Sequence, residues 1–294
     1  MIIEERLKMQ EGFSDVEKAI ANYILERGEK LKNESARYVA RQGYTSASSV
    51  TRLCQRLGFD GYPDFREAYL EEEAYLCSHF QRIDANMPFE RKDSPLRVAN
   101  KLSALYGEIV DDTLSLITAE QMQAVMQMFE TCSRIHVMSL GSHAYLAYPF
   151  REKMMKIGIQ VDINQQSDIG YYQAEVAGKE EIFLFISYSG ELENLIKVAE
   201  KAKSKGIPTI CFTSYGHNQL ASVCDIVFYV STREKLITNL GTYGVYVSVL
   251  YLFDILYSCW FNRNHEKNLA KKTSISAEYE KKRHSQNPIL MESE

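Results

Sequence analysis

The sequence predicts an all-α domain followed by an α/β domain built on a doubly wound parallel sheet. Apolar residues in the first third of the chain recur at helical spacing. From Arg134 onward, short apolar runs alternate with helical segments, which is typical of a parallel sheet covered on both faces. With 294 residues, of which 45% are hydrophobic, the chain can form a core in each domain. We predict a helical domain at 1–80, a linker at 81–94, the α/β domain at 95–262, and a final helix with a flexible tail at 263–294.

Composition and charge narrow the class of protein. The formal net charge is −5, so any contact with nucleic acid requires a local basic patch. The six cysteines form no C-x-x-C pair, which favours free thiols in a reducing compartment and argues against a zinc site. The first residues lack the features of a signal peptide, and the apolar stretch Val245–Phe261, interrupted by Asp254, is short for a membrane span. We predict a cytoplasmic protein with no membrane contact, no cofactor and no metal.

The first domain contains a predicted helix-turn-helix motif. Ser14 and Glu17 have the spacing of a capping box and open one helix. A second helix is expected at Ser35–Gln42, and a third begins after Thr45-Ser46, either of which could cap it. Because the turn between the second and third helices contains Gly43, the arrangement is that of a helix-turn-helix.

A basic patch coincides with this motif. Between residues 30 and 59 there are six basic residues and one acid, Glu34. Small polar side chains at the start of the third helix would reach base edges while basic side chains neutralise phosphates. We therefore predict contacts with double-stranded DNA from Arg41, Thr45, Ser46, Ala47, Ser48, Ser49, Arg52 and Arg56. The alternative is a protein-interaction domain whose basic residues are merely solvated.

A second motif follows the buried strand that ends at Ser187. The turn contains Ser187, Ser189 and Gly190, and helical spacing begins directly after it. Free backbone N–H groups and the positive end of a helix dipole favour an anion at such a turn, and two hydroxyls can add hydrogen bonds. Phosphate fits this arrangement. The alternative is that Ser189 simply caps the helix.

The expected sheet brings further residues to the same place, because ligands of such sheets bind outside the carboxyl ends of the strands. Three turns meet there, at residues 139–143, 187–190 and 213–214. The candidate phosphate-site residues are Gly141, Ser142, His143, Ser187, Ser189, Gly190, Glu191 and Thr213. A capping or packing role for His143, and strand-end hydrogen bonding for Thr213, remain open alternatives.

Two stretches resemble known families. Ser46–Phe59, followed by Gly61-Tyr-Pro-Asp-Phe65, resembles the helix-turn-helix of the RpiR/MurR family of bacterial transcription regulators. Ser187-Tyr-Ser-Gly-Glu191 resembles the signature of the SIS (sugar isomerase) domain, which follows the helix-turn-helix in that family. The resemblance implies a DNA-binding regulator, not an enzyme, whose operator binding is modulated by a phosphorylated sugar. A homodimer or homotetramer is expected, because one protomer contacts too few base pairs to be selective.

Three positions depart from the family patterns. Leu192 stands where the SIS loop commonly has threonine, and His143 stands where a serine is usual. Tyr44 occupies a turn position that is often glycine, and we expect the turn to shift so that Gly43 takes that role.

Two other functions fit parts of the sequence. A sugar-phosphate isomerase would need a base to move a proton beside a carbonyl, and the candidates are Glu191, Glu193, His217 and Glu234. No motif places two of these residues together. A protein-binding adaptor is the third hypothesis.

Overall fold

The computed structural model describes residues 3–79, 83–279 and 289, with the side chains of residue 5 and residues 74–79 excepted. The amino-terminal domain is helical. Its helices are α1 (Ile3–Met9), α2 (Asp15–Arg27), α3 (Ala36–Gln42), α4 (Ala47–Arg56) and α5 (Tyr62–His79), with a 3₁₀ turn at Gly28–Asn33.

Local sequence signals explain where these helices begin. Ser14 and Glu17 form the predicted capping box at α2. Ser46, and not Thr45, caps α4 by accepting a hydrogen bond from the N–H of Ser49 at 3.2 Å. The helices then bury one shared core, which includes Ile20, Ile24, Val50, Leu53, Phe65 and Tyr69. The basic motif is thus mounted on a packed helical domain.

The remainder of the chain alternates strands and helices after two long helices. In order these are α6 (Pro95–Ser115), α7 (Ala119–Glu130), β1 (Arg134–Met138), α8 (Ala147–Ile157), β2 (Gln160–Asn164), α9 (Ser167–Val176), β3 (Glu181–Ser187), α10 (Glu193–Ser204), β4 (Thr209–Ser214), α11 (Gln219–Val223), β5 (Ile226–Val230), α12 (Tyr243–Arg263) and α13 (His265–Tyr279). All strand pairs are parallel, in the order β2-β1-β3-β4-β5. The predicted fold class is therefore confirmed.

The sheet is covered on both faces because its strands are apolar on both faces. On one face Val137, Leu184 and Phe212 pack against α7, α8 and α12. On the other face Phe183 and Phe185 pack against α9, α10 and α11. This arrangement leaves the carboxyl ends of the strands as the open edge of the sheet.

Several boundaries differ from those expected. The helix after Gly190 does not begin at once but at Glu193. The loop after β1 forms a 3₁₀ segment at Gly141–Leu146 that continues into α8. Helices α1, α9 and α11 were not expected from the sequence, and the tail beyond Tyr279 lies outside the described residues, apart from residue 289.

The apolar helix α12 extends two residues beyond each end of the apolar stretch Val245–Phe261. It spans 21 residues, and by length and composition alone it could cross a membrane, so the expectation that this stretch is too short was wrong. One side of it is buried in the domain core through Val245, Val249, Leu252, Phe253 and Leu256. This contact agrees with the interpretation of α12 as a core helix.

The predicted linker is packed where it is described. Ala85 is buried and contacts Leu105 and Ile109 of α6. Ser94 then caps α6 by accepting a hydrogen bond from the N–H of Arg97 at 3.3 Å. Residues 83–94 are therefore fixed to the α/β domain.

Candidate DNA-binding and ligand sites

The candidate DNA-binding residues divide into exposed and packed groups on α4. Ser48 and Arg52 are exposed, whereas Ser49 is half-buried. Ala47 does not face fully outward as expected, because it packs against the helical core beside Val50. The solvent-facing side of α4 is thus narrower than the sequence indicated.

Hydrogen bonds hold the polar residues at the start of α4. The hydroxyls of Ser46 and Ser49 lie 3.0 Å apart. The guanidinium of Arg52 donates to the carbonyl of Ser48 at 3.4 Å and to the hydroxyl of Ser49 at 3.5 Å. These weak contacts fold Arg52 along its own helix, where it can exchange them for a base or a phosphate.

The basic patch has less acid on its surface than the sequence suggests. Glu34, its single acid, is buried, pairs with Arg27, and accepts a hydrogen bond from Tyr23 at 2.8 Å. Arg41 is exposed and lies over the ring of Tyr38 at 5.2 Å. The positive charges of the patch are consequently not neutralised by Glu34.

Arg56 has a different setting from the other predicted DNA-binding residues. It pairs with Glu17 at 3.1 Å and lies over the ring of Phe13 at 5.7 Å. This pair joins α4 to the start of α2. Arg56 therefore has a structural contact in the helical domain, in addition to any contact with DNA.

The turn before α4 does not shift as expected. Gly43 has an ordinary φ of −84°, and Tyr44 itself adopts the left-handed conformation with φ 50°. A side chain is strained in this region. Tyr44 is also 99% exposed, so no packing in the domain accounts for the side chain.

The predicted ligand turns lie at the point where the strand order reverses. β1 is paired with both β2 and β3, so the loops after β1 and β3 leave the sheet side by side. Gly141, Ser142 and His143 follow β1, and Ser187, Ser189 and Gly190 follow β3. Open parallel sheets bind ligands at such a switch point.

Serine hydroxyls hold the turn after β3, but they do not cap α10. The hydroxyl of Ser187 accepts from the N–H of Gly190 at 3.2 Å, and that of Ser189 accepts from the N–H of Glu191 at 3.3 Å. The capping position of α10 is Leu192, which offers no side-chain acceptor. The interpretation of Ser189 as the helix cap was therefore wrong, and the start of α10 has no side-chain cap.

Gly190 is required by both conformation and space. Its φ is 66°, and a Cβ there would lie 2.0 Å from Oδ1 of Asn218. Glu191 next to it accepts a hydrogen bond from the N–H of Gln219 at 3.2 Å. The turn after β3 is thus packed directly against the segment that follows β4.

Two other candidates present polar atoms with no hydrogen-bond partner among the residues that the structure describes. They are the buried hydroxyl of Thr213 and Nε2 of His143. Burial lowers the pKa of His143, and its ring packs edge-on against Tyr246 at 5.6 Å. The hydroxyl of Ser142 lies 2.9 Å from that of Tyr246. Helix α12 therefore borders the loop after β1.

The segment between β5 and α12 also borders this edge, although no sequence motif placed it there. The hydroxyl of Tyr188 donates to the carbonyl of Glu234 at 2.7 Å and accepts from the N–H of Glu234 at 3.2 Å. The Glu234 carboxylate is buried and accepts from the N–H groups of Gly244 and Val245 at 3.0 and 3.3 Å. Burial raises its pKa. In the sequence Glu234 stands between Arg233 and Lys235, so no apolar pattern marks it as a buried residue.

The candidate bases of an isomerase differ in their exposure and in their hydrogen-bond partners. Glu193 is exposed and pairs with Lys197 at 2.6 Å, and this pairing lowers its pKa. His217 is exposed on the segment after β4, and Glu191 bonds to a backbone N–H. Because a carboxylate with a lowered pKa is a weaker base, Glu193 is poorly suited to proton abstraction.

Comparisons with known proteins agree with both halves of the chain. Residues 1–74 match the model of the helix-turn-helix domain of the rpiR family, and residues 128–258 match the SIS domain. An uncharacterized HTH-type transcriptional regulator of Caldanaerobacter subterraneus is 26% identical over 250 residues, covering 85% of this chain and 86% of the relative.

Solved structures with low identity share the fold. The Vibrio vulnificus NanR protein complexed with ManNAc-6P has a TM-score of 0.60 at 20% identity, covering 94% of this chain and 98% of that one. The sugar isomerase domain of an RpiR transcription factor from Sphaerobacter thermophilus has a TM-score of 0.53 at 17% identity, covering 60% of this chain and 97% of that one.

A helical DNA-binding motif followed by an SIS sheet, in a chain similar over most of its length to named regulators, defines a two-domain transcription regulator. Within that class the chain belongs to the RpiR family, as the resemblance implied.

Proposed function

We propose that this regulator is a cytoplasmic protein that binds a DNA operator and changes its affinity when a phosphorylated sugar occupies the SIS domain. The observation that carries the ligand half is the uncapped start of α10, which lies beside two serine hydroxyls at the switch point of the sheet. Backbone N–H groups at a helix start favour a phosphate without a lysine. The likeness to a structure complexed with ManNAc-6P supports the same class of ligand.

The DNA half rests on α4 and the turn before it. Arg41, Arg52 and the exposed serines would contact phosphates and base edges, and Arg52 is the candidate for a bidentate contact with guanine. Two copies would place two such helices in successive major grooves, so a homodimer or homotetramer on a near-palindromic operator is the expected assembly.

Hydrogen bonds connect the turn at Ser187–Gly190, here called the ligand turn, with residues 83–94, here called the interdomain segment. Tyr188 lies between the two serines of the turn and holds the backbone of Glu234. The neighbouring Arg233 donates to the carbonyl of Ile83 at 2.6 Å and pairs with Glu108 at 2.7 Å. A ligand that moves the turn would therefore also act on residue 83.

Asn86 adds three hydrogen bonds to the same connection. Its side chain donates to the carbonyl of Arg233 at 3.1 Å and accepts from the N–H of Lys235 at 2.7 Å, and its carbonyl accepts from the N–H of Leu240 at 3.1 Å. Ligand binding needs to favour one arrangement of this segment by only about 1–3 kcal/mol to change operator affinity.

The test is a fluorescence anisotropy titration on DNA from the upstream region of the protein's own gene, with a panel of sugar phosphates that includes ManNAc-6P. We expect salt-sensitive, sequence-selective binding that one sugar phosphate alters. Arg52→Ala should weaken binding to the selected sequence, whereas Ser189→Ala should bind DNA normally and lose the response to the sugar phosphate.

A matched control is Lys201→Ala, which removes a basic residue from a helix outside the proposed DNA-binding motif. Its DNA affinity should be unchanged. No selective binding on any tested DNA would contradict the operator proposal. Because SIS domains also occur in isomerases, steady turnover of a sugar phosphate would instead favour the enzyme.

A further inference from the structure

The edge of the sheet carries a buried carboxylate whose second oxygen is unused. Glu234 is only 6% exposed. Its Oε2 accepts from the start of α12, but Oε1 has no hydrogen-bond partner among the described residues. Since a buried polar atom without a partner costs roughly 1–3 kcal/mol, helix capping explains one oxygen of this carboxylate and leaves the other without a role.

Glu234 shares the edge with the proposed ligand site. Its backbone is held by the hydroxyl of Tyr188, which lies within the turn after β3. The helix that it caps also carries Tyr246, which contacts both Ser142 and His143 of the loop after β1. The carboxylate is thus positioned by both loops that border the proposed ligand site.

The same edge holds two further buried atoms that lack partners, the hydroxyl of Thr213 and Nε2 of His143. A hydroxyl can donate or accept, a neutral imidazole does both through its two nitrogens, and an ionised carboxylate only accepts. Each of these atoms can form a hydrogen bond with a hydroxyl group of a sugar. The carboxylate requires its partner to be a donor.

Charge restricts the ligand further. Two cations flank Glu234 in the sequence: Arg233, whose guanidinium pairs with Glu108 and bonds to the carbonyl of Ile83, and Lys235, whose side chain is exposed. Asp112, which is also buried, accepts a hydrogen bond from Ser231 at the end of β5. Among the described residues, this side of the edge therefore carries Glu108, Asp112 and Glu234 against Arg233 and the exposed Lys235, whereas the turn at Ser187–Gly190 offers N–H groups.

We infer that Glu234 is a specificity-determining residue, which accepts a hydrogen bond from a hydroxyl or amide of the ligand and excludes ligands with a second anionic group away from the phosphate. The effector would then be a phosphorylated sugar whose phosphate is its only anionic group, and not a phosphorylated sugar acid or a bisphosphate. This inference rests on the proposed function of the same site.

The test compares matched ligands that differ in one anionic group. Isothermal titration calorimetry on the full chain would use glucose 1-phosphate against glucuronate 1-phosphate, and fructose 6-phosphate against fructose 1,6-bisphosphate. In each pair that binds, we expect the member without the second anionic group to bind at least about tenfold more tightly. The second anionic group would repel the Glu234 carboxylate strongly in a partly buried site.

Glu234→Gln keeps the size of the side chain and an acceptor for the start of α12, but removes the negative charge. In this variant we expect the dissociation constants of the two members of each pair to differ by about threefold or less, mainly because the member with the second anionic group binds more tightly. Glu200→Gln removes an exposed charge from the solvent face of α10 and should leave the ratio unchanged. Thermal melting of both variants would check that they fold.

The outcomes separate this inference from the function on which it rests. Equal affinity of the wild-type chain for the two members of a pair would overturn the role of Glu234 alone, whether or not the variant folds. An unchanged ratio in a folded Glu234→Gln variant would do the same. If no sugar phosphate binds the wild-type chain, both the proposed ligand class and this inference fail.

Discussion

Leu192 leaves the start of α10, beside the ligand turn, without a side-chain cap. Its backbone has φ −77° and ψ 100°, the extended conformation of a helix-capping residue, but its side chain has no oxygen to accept a hydrogen bond. By contrast, α11 is capped by Asn218, whereas the 3₁₀ segment after β1, whose capping position is Leu140, shares the uncapped start. The departure from the family pattern therefore leaves the helix start open.

Leu192→Thr should supply the missing cap. We expect the free energy of unfolding to rise by about 1 kcal/mol, because a threonine hydroxyl would accept from an N–H of the first turn of α10. Chemical denaturation would measure the change, with Leu192→Ala as the control that shortens the side chain without adding an acceptor. Equal stability of the two variants would mean that these N–H groups already have partners.

The turn between α3 and α4 is strained at Tyr44. Its φ of 50° is costly for any residue with a Cβ, and the side chain gains nothing in return because it is fully exposed. Tyr44→Gly should stabilise the protein by about 1 kcal/mol. Denaturation of the variant would show this, and Tyr44→Ala, which keeps the Cβ, should gain much less. A similar gain in both variants would place the cost in the tyrosine ring and not in the backbone.

At the scale of elements, the helix and strand ends that the sequence predicted correctly were those set by residues close together in the chain. The capping box of Ser14 and Glu17 and the strand that ends at Ser187 could be identified, and the cap of α4 could be narrowed to Thr45 or Ser46, because each depends on neighbours in sequence. The start of α10 could not be located, because Leu192 takes the backbone conformation of a cap without having the chemistry of one.

Elements whose position depends on distant partners were the ones that the sequence did not predict. The segment between β5 and α12 has no periodicity, and its place at the sheet edge is set by Tyr188, 46 residues away from Glu234 in the chain, and by Asn86. The same holds for the outward side of α4, where the half-burial of Ala47 results from packing against the helical core. Such contacts appear only once the fold is assembled.

At the scale of the whole molecule, the order of two domains followed from hydrophobic periodicity, but the state of the chain between them did not. Residues 83–95 contain Pro88, Pro95 and mixed charge, which is typical of a free linker. Instead, Ala85 is buried, and Arg233 and Asn86 hold the segment to the loop beside the ligand turn. A rigid connection is what a regulator requires if the ligand is to affect DNA binding.

Asn86→Ala tests whether this connection transmits the effect of the ligand. The variant loses the two side-chain hydrogen bonds to the backbone of Arg233 and Lys235, and it changes neither the candidate phosphate site nor α4. We expect sugar-phosphate affinity by calorimetry, and DNA affinity without ligand, to stay within about twofold of the wild type. The change in DNA affinity caused by the ligand should fall to less than half, because coupling requires a differential contact between the two states.

Asn100→Ala is the matched control for this experiment, since Asn100 is an exposed asparagine on α6. It should keep the full response to the ligand. If Asn86→Ala also kept the full response, the signal would have to pass through the contacts of Arg233 with Ile83 and Glu108, or through the assembly of two copies.

Combining Asn86→Ala with Arg233→Lys would separate these routes, because lysine keeps the charge beside Glu108 but cannot bond to both partners in the geometry of a guanidinium. A double variant that binds sugar phosphate and DNA normally, and still responds to the ligand, would exclude the interdomain segment as the path and leave the assembly as the remaining carrier of the signal.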